Sequence, residues 1–145
     1  MKNIVIISLL LILTSCSKNK DYQIINAFLK TNNIKLKNLS NKPYYLENSL
    51  KYWEEKEFTD LYFSIKRNEN YTIDTSLIKN KLLDVKSICT TKISKPLISN
   101  DAKRALIGIH EFCASDKKLT IYLLKKSENN WILETKISSI STLSH

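Results

Sequence analysis

The sequence predicts an α+β domain in which N-terminal helices pack on a C-terminal four-stranded antiparallel meander. Three observations lead there. Apolar residues in the first half recur at helical spacing, as in Ile24, Ile25, Phe28 and Leu29. In the second half they alternate in β-branched runs, separated by the turn-forming stretches "ND", "ASDK" and "SENN". No internal repeat or linker divides the 145 residues, which suits one domain.

The chain opens on one basic residue, Lys2, followed by an apolar run from Ile4 to Thr14 that only Ser8 interrupts. The run falls short of the roughly 20 apolar residues a helix needs to cross a bilayer core. A basic start, a short apolar stretch and small residues after it follow the pattern of a secretory signal. Leu13-Thr14-Ser15-Cys16 resembles a bacterial lipobox. That resemblance implies cleavage before Cys16 and lipid on its sulfur and its amine. One acyl chain holds weakly, and several on one residue make a firm anchor. The expected division is a signal peptide over 1–15, a lipidated tether over 16–21 and the domain over 22–145. Ser17 lacks the acidic character that retains some lipoproteins at the inner membrane. The expected address is therefore the outer membrane of a bacterial envelope, facing the periplasm or the surface.

A first helix is expected from Tyr22 to Thr31, with Asp21 as its N-cap. Pro43 breaks any helix in the polar stretch that follows. Leu46, Leu50 and Trp53 return to helical spacing. Residues 58–67 fit two patterns: Leu61, Phe63 and Ile65 alternate, while Phe58, Leu61, Tyr62 and Ile65 keep helical spacing. Thr59-Asp60 tips the reading toward helix. A short helix is expected in "DTSLIKNKLL", capped by Asp74 or Thr75.

Four strands follow. Their odd positions are apolar: Cys89, Ile93 and Leu97; Ala105, Ile107, Ile109 and Cys113; Leu119, Ile121 and Leu123; Trp131, Leu133 and Ile137. Alternation assigns these sets to one face, because a one-residue slip would expose a whole set. A turn at Asn100-Asp101-Ala102 then pairs Leu97 with Ala105, Ile93 with Ile109 and Cys89 with Cys113. Directly opposed residues lie about 4.5–5.5 Å apart at Cα, within disulfide range. Outside the cytoplasm such a pair is expected to oxidise. A loop of about 25 residues closed this way stabilises by roughly 3 kcal/mol. Two separate buried thiols are the other structural reading. A metal or redox centre is disfavoured, since neither cysteine lies in a C-x-x-C pair and only His110 and His145 supply imidazole.

The chemistry of the remaining residues narrows the function. One glycine, Gly108, excludes Gly-rich nucleotide loops. The net charge is +9, one less after loss of Lys2, but the lysines are scattered rather than gathered. Together with an export signal this argues against nucleic acid and leaves solvated lysines or attraction to anionic headgroups. His110 stands beside Glu111 in a strand, so the two face opposite sides and form no catalytic pair. Glu54, Glu55, Glu57 and Asp60 cluster as a glycosidase pair might, yet lysines interleave them as on a solvated helix face. Tyr44, Tyr45, Tyr52 and Trp53 make an aromatic stretch suited to the core or to ligand stacking.

The second half also carries a family likeness. Ser94, Pro96, Leu97, Ser99, Asp101, Ala105 and Leu106, then Lys125 and Lys126, then Asn129, Trp131 and Leu133 follow an S-x-P hairpin, a K-K pair and an N-x-W strand. This resembles a family of small Bacteroidetes lipoproteins, over about a third of the chain. The family's glycines after the second strand are missing here. The resemblance implies the sheet and the envelope address and brings no activity with it. The expected function is a non-enzymatic, membrane-anchored binding or accessory module without cofactor or metal. Its partners are the lipid bilayer through acylated Cys16 and an envelope protein or ligand. An immunity-type lipoprotein that blocks a toxin is the alternative, and a glycan-acting enzyme using Glu54 or Glu55 is the third reading.

Overall fold

The computed structural model describes residues 20–52, 63–64, 69–128 and 130–142. The segment read as signal and Cys16 lie outside them, as does most of the ambiguous stretch 58–67. Helix α1 covers residues 20–31, so Lys20 and Asp21 of the tether segment are helical and Asp21 lies within the helix rather than ahead of it. Ile24, Ile25, Phe28 and Leu29 are its buried stripe, while Lys20, Gln23, Lys30 and Thr31 are exposed. The helix ends in a Schellman motif. Asn33 takes a φ of 51°, its N–H donates to Lys30 O at 3.2 Å, and the Ile34 N–H donates to Leu29 O at 2.9 Å.

Over the described residues, the helices expected around Leu46–Trp53 and in "DTSLIKNKLL" are not α-helices. Residues Leu46–Tyr52 form a 3-10 helix, η1, and Trp53 lies outside the described residues. "DTSLIKNKLL" contains one 3-10 turn, η2 (Thr75–Leu77), followed by the short strand β2 (Lys81–Leu82). Asp74 does cap that turn, its carboxylate accepting from the Ser76 N–H at 3.0 Å. The turn stops because α1 claims the next backbone groups. The Asn26 side chain donates to Leu77 O at 2.8 Å and accepts from the Lys79 N–H at 2.9 Å. Upstream, β1 (Leu36–Lys37) pairs in parallel with β2.

The main sheet has five strands: β3 (Thr90–Ile93), β4 (Leu97–Ile98), β5 (Arg104–Phe112), β6 (Asp116–Ser127) and β7 (Asn130–Thr142). Its order is β3-β5-β6-β7 with β4 also on β5, all antiparallel. The expected meander is thus present, with its first strand split in two. Ile93 pairs with Ile109 as the alternation required. Past it the register slips by one: Leu97 pairs with Leu106, not Ala105. Pro96 has no N–H to donate, and Ser94 repairs the ladder there. The Ser94 N–H donates to Gly108 O at 2.9 Å, and its hydroxyl accepts from the Gly108 N–H at 2.8 Å.

The odd residues do not all share a face. Ala105 pairs with Leu124 and Ile107 with Tyr122, so the odd set of β5 joins the even set of β6. A register shift opposite Leu123/Leu124 then turns β7, placing Leu133 opposite Leu124 but Ile137 opposite Ile121. The sheet therefore has two cores. Under α1 lie Ile93, Ala105, Ile107, Ile109, Leu124 and Trp131, with Leu36, Ile73 and Ile78. On the other face lie Tyr44, Leu106, Ile121 and Leu123, with Leu46, Phe63, Leu97 and Leu119 packed against them.

Candidate functional site

The register of the sheet builds an open groove of about 810 Å³ on the face away from α1. Lys92, His110, Leu119 and Ser139 stand in one row across β3, β5, β6 and β7. Phe112, Lys117 and Ser141 make the next row. The wall comes from 41–45, Asn48, Tyr71 and Thr72. Tyr44 anchors that wall. Its N–H donates to Ile93 O at 3.0 Å, and its ring lies so close to Gly108 that a Cβ there would meet Cδ1 at 2.8 Å. The one glycine of the chain is thus where an aromatic ring must approach a strand.

Aromatic rings and cations interleave on the floor. His110 and Phe112 have ring centroids 3.9 Å apart, and Tyr44 meets His110 edge-on at 5.2 Å. Lys92 Nζ lies 4.9 Å and Lys117 Nζ 5.9 Å from the centre of the Phe112 ring, within reach of its negative face. Burial, then Lys92 and Lys117, hold His110 below its ordinary pKa, which keeps the ring neutral near pH 7. The described residues that line the groove include Lys42, Lys92 and Lys117 and no carboxylate.

A neighbouring cavity of about 380 Å³ shares Tyr45 and Tyr71 and has the opposite character. Asp21, Glu47, Glu69 and Lys95 line it. Lys95 Nζ lies 2.9 Å from Glu69 and 4.3 Å above the Tyr71 ring. The Tyr71 hydroxyl donates to Tyr44 O and accepts from the Lys95 N–H, both at 3.2 Å, and burial pushes its pKa to about 12. Burial also raises Asp21, against the pull of Lys95. Among the described residues of this cavity three carboxylates meet one lysine, and Glu69 already pairs with it. The first groove is the candidate site.

Cys89 and Cys113 are joined by a disulfide with Cα atoms 4.1 Å apart, one step beyond the Thr90–Phe112 pair. By strand alternation they belong to the α1 side. His110, Tyr44 and Tyr45 come together in the groove. Glu54, Glu55, Glu57, Asp60 and His145 lie outside the described residues. Lys92, Phe112 and Lys117 are residues that the sequence did not single out. Lys92 was within reach, because the expected Ile93–Ile109 pair already sets it opposite His110. Among the described residues no three His, Cys, Asp or Glu side chains gather to hold a metal, and no helix is long and apolar enough to cross a membrane. No family model, curated protein or solved structure matches the chain.

Proposed function

We propose that this chain is an envelope lipoprotein held at Cys16, and that its domain is a binding module whose groove takes an anionic ligand with an apolar or aromatic body. The observation that carries the reading is the groove's charge: three lysines and a neutral histidine line it with no carboxylate among the described residues. Lysines lining one groove give it a positive potential that a bound anion neutralises. Phe112, His110 and Tyr44 offer ring faces and edges for the apolar body of the same ligand. The disulfide fits an oxidising compartment, in keeping with an exported chain.

Native mass spectrometry of the protein extracted from bacterial envelope tests both halves. The reading expects a mature chain beginning at acylated Cys16, carrying an anionic adduct that is absent from the Lys92→Glu/Lys117→Glu variant. An unprocessed chain would refute the anchor. An adduct unaffected by the double variant would refute the groove.

A further inference from the structure

Residues 82–88, between β2 and the disulfide, turn four apolar side chains toward solvent. Leu82 is 45%, Leu83 80%, Val85 86% and Ile88 74% exposed. The backbone that presents them is held in place. Asn38, at a φ of 46°, accepts from the Asp84 N–H at 2.9 Å. The two hydrogens of its amide are shared among three carbonyls, Asp84 O at 3.0 Å, Cys89 O at 3.0 Å and Ser87 O at 3.3 Å. Ser87 adds an N–H bond to Asp84 O at 3.0 Å and accepts from the Cys89 N–H at 3.1 Å. A loop knit this tightly keeps its aliphatic residues in water instead of folding them inward, so the exposed patch is a built feature.

The charge around the patch indicates its occupant. Lys35, Lys37, Lys79, Lys81 and Lys86 are all exposed on the segments that form the loop's base. Asp84 is the acid within the loop, and it is engaged by Lys37 at 3.7 Å and by the Lys86 N–H at 3.2 Å. Protein interfaces favour Tyr, Trp and Arg anchors and are poor in Lys. The loop from Leu82 to Ile88 has none of those anchors. Exposed aliphatic residues on a loop whose own and adjoining segments carry exposed lysines, of which Lys81 donates to Thr75 O and Lys37 faces Asp84, instead suit the boundary of an anionic bilayer, where the apolar groups enter the acyl region and ammonium groups meet headgroups. We propose that the 82–88 loop docks on the surface of an anionic lipid bilayer as a second, non-covalent membrane contact.

The test uses the mature chain from residue 16 with Cys16→Ser, so that neither the apolar leader nor acylation contributes, and co-sedimentation with phosphatidylcholine vesicles with or without phosphatidylglycerol. The expected result is binding that requires phosphatidylglycerol, weakens with salt, and falls roughly tenfold or more in Val85→Asp and in Leu83→Asp. Both positions are exposed, and retained far-ultraviolet circular dichroism checks that the variants stay folded. Absence of binding, or binding that survives Val85→Asp, would overturn it. Loss of cross-linking to an envelope protein in Val85→Asp, without vesicle binding, would overturn it in favour of a protein partner.

Discussion

The ring of Tyr44 occupies the space that a side chain on Gly108 would need: a Cβ at residue 108 would lie 2.8 Å from Tyr44 Cδ1 and 3.1 Å from Leu46 Cδ2. That contact joins the groove wall to its floor. Gly108→Ala should therefore destabilise by about 1–3 kcal/mol through overpacking. Urea denaturation of Gly108→Ala, Tyr44→Ala and the double variant checks it. The two substitutions should be non-additive, with Tyr44→Ala relieving the clash.

The disulfide closes a separation of 24 residues. Replacing both cysteines by Ala should cost about 3 kcal/mol. Thiol labelling of the denatured, unreduced protein should find neither Cys89 nor Cys113 free. Labelling at both would contradict the structure.

Thr91 is buried under α1's side of the sheet, and its hydroxyl has no hydrogen-bond partner among the described residues. Burying a hydroxyl unpaired costs about 1–3 kcal/mol. Thr91→Val keeps the shape and removes the oxygen, so it should leave stability unchanged or raise the midpoint of thermal unfolding. A clear loss would mean that the hydroxyl is satisfied in solution.

His110 makes the groove sensitive to pH. Its folded-state pKa lies below the ordinary 6.5, first through burial and then through Lys92 and Lys117. The neutral ring therefore contributes stability that is present above pH 6.5 and is lost as the pH falls through the depressed value. An NMR titration should place the His110 midpoint below 6.5, and Lys92→Gln or Lys117→Gln should each move it upward. A bound anion should do the same, so anion binding should tighten as the pH falls through that window.

The parts of the fold that were legible are those where alternation meets a one-sided surface. Ile93, Ile107 and Ile109 had to share a face, and that register delivered the Cys89–Cys113 pair without further information. Alternation failed at β6 because Leu123 and Leu124 are both buried, one in each core, so neither parity marks the inside. The slip beyond Ile93 depends on Ser94 replacing a ladder contact beside Pro96, a side-chain bond that no apolar pattern encodes. The helix expected in "DTSLIKNKLL" gives way because Asn26 takes the Leu77 and Lys79 backbone groups that a continuing helix would use. The groove was the least legible part. Lys92, Phe112 and Lys117 meet only through two strand registers, and a lysine destined for a groove is indistinguishable in sequence from one on open surface.

The most direct test of the proposed binding module is a nitrogen-15 chemical-shift titration of the mature chain from residue 16, with Cys16→Ser, by an aromatic sulfonate, 8-anilinonaphthalene-1-sulfonate. The account predicts perturbations concentrated at Lys92, His110, Phe112, Lys117 and Ser139 and abolished in Lys92→Glu/Lys117→Glu. Perturbations that avoid these residues, or that persist in the double variant, would contradict it.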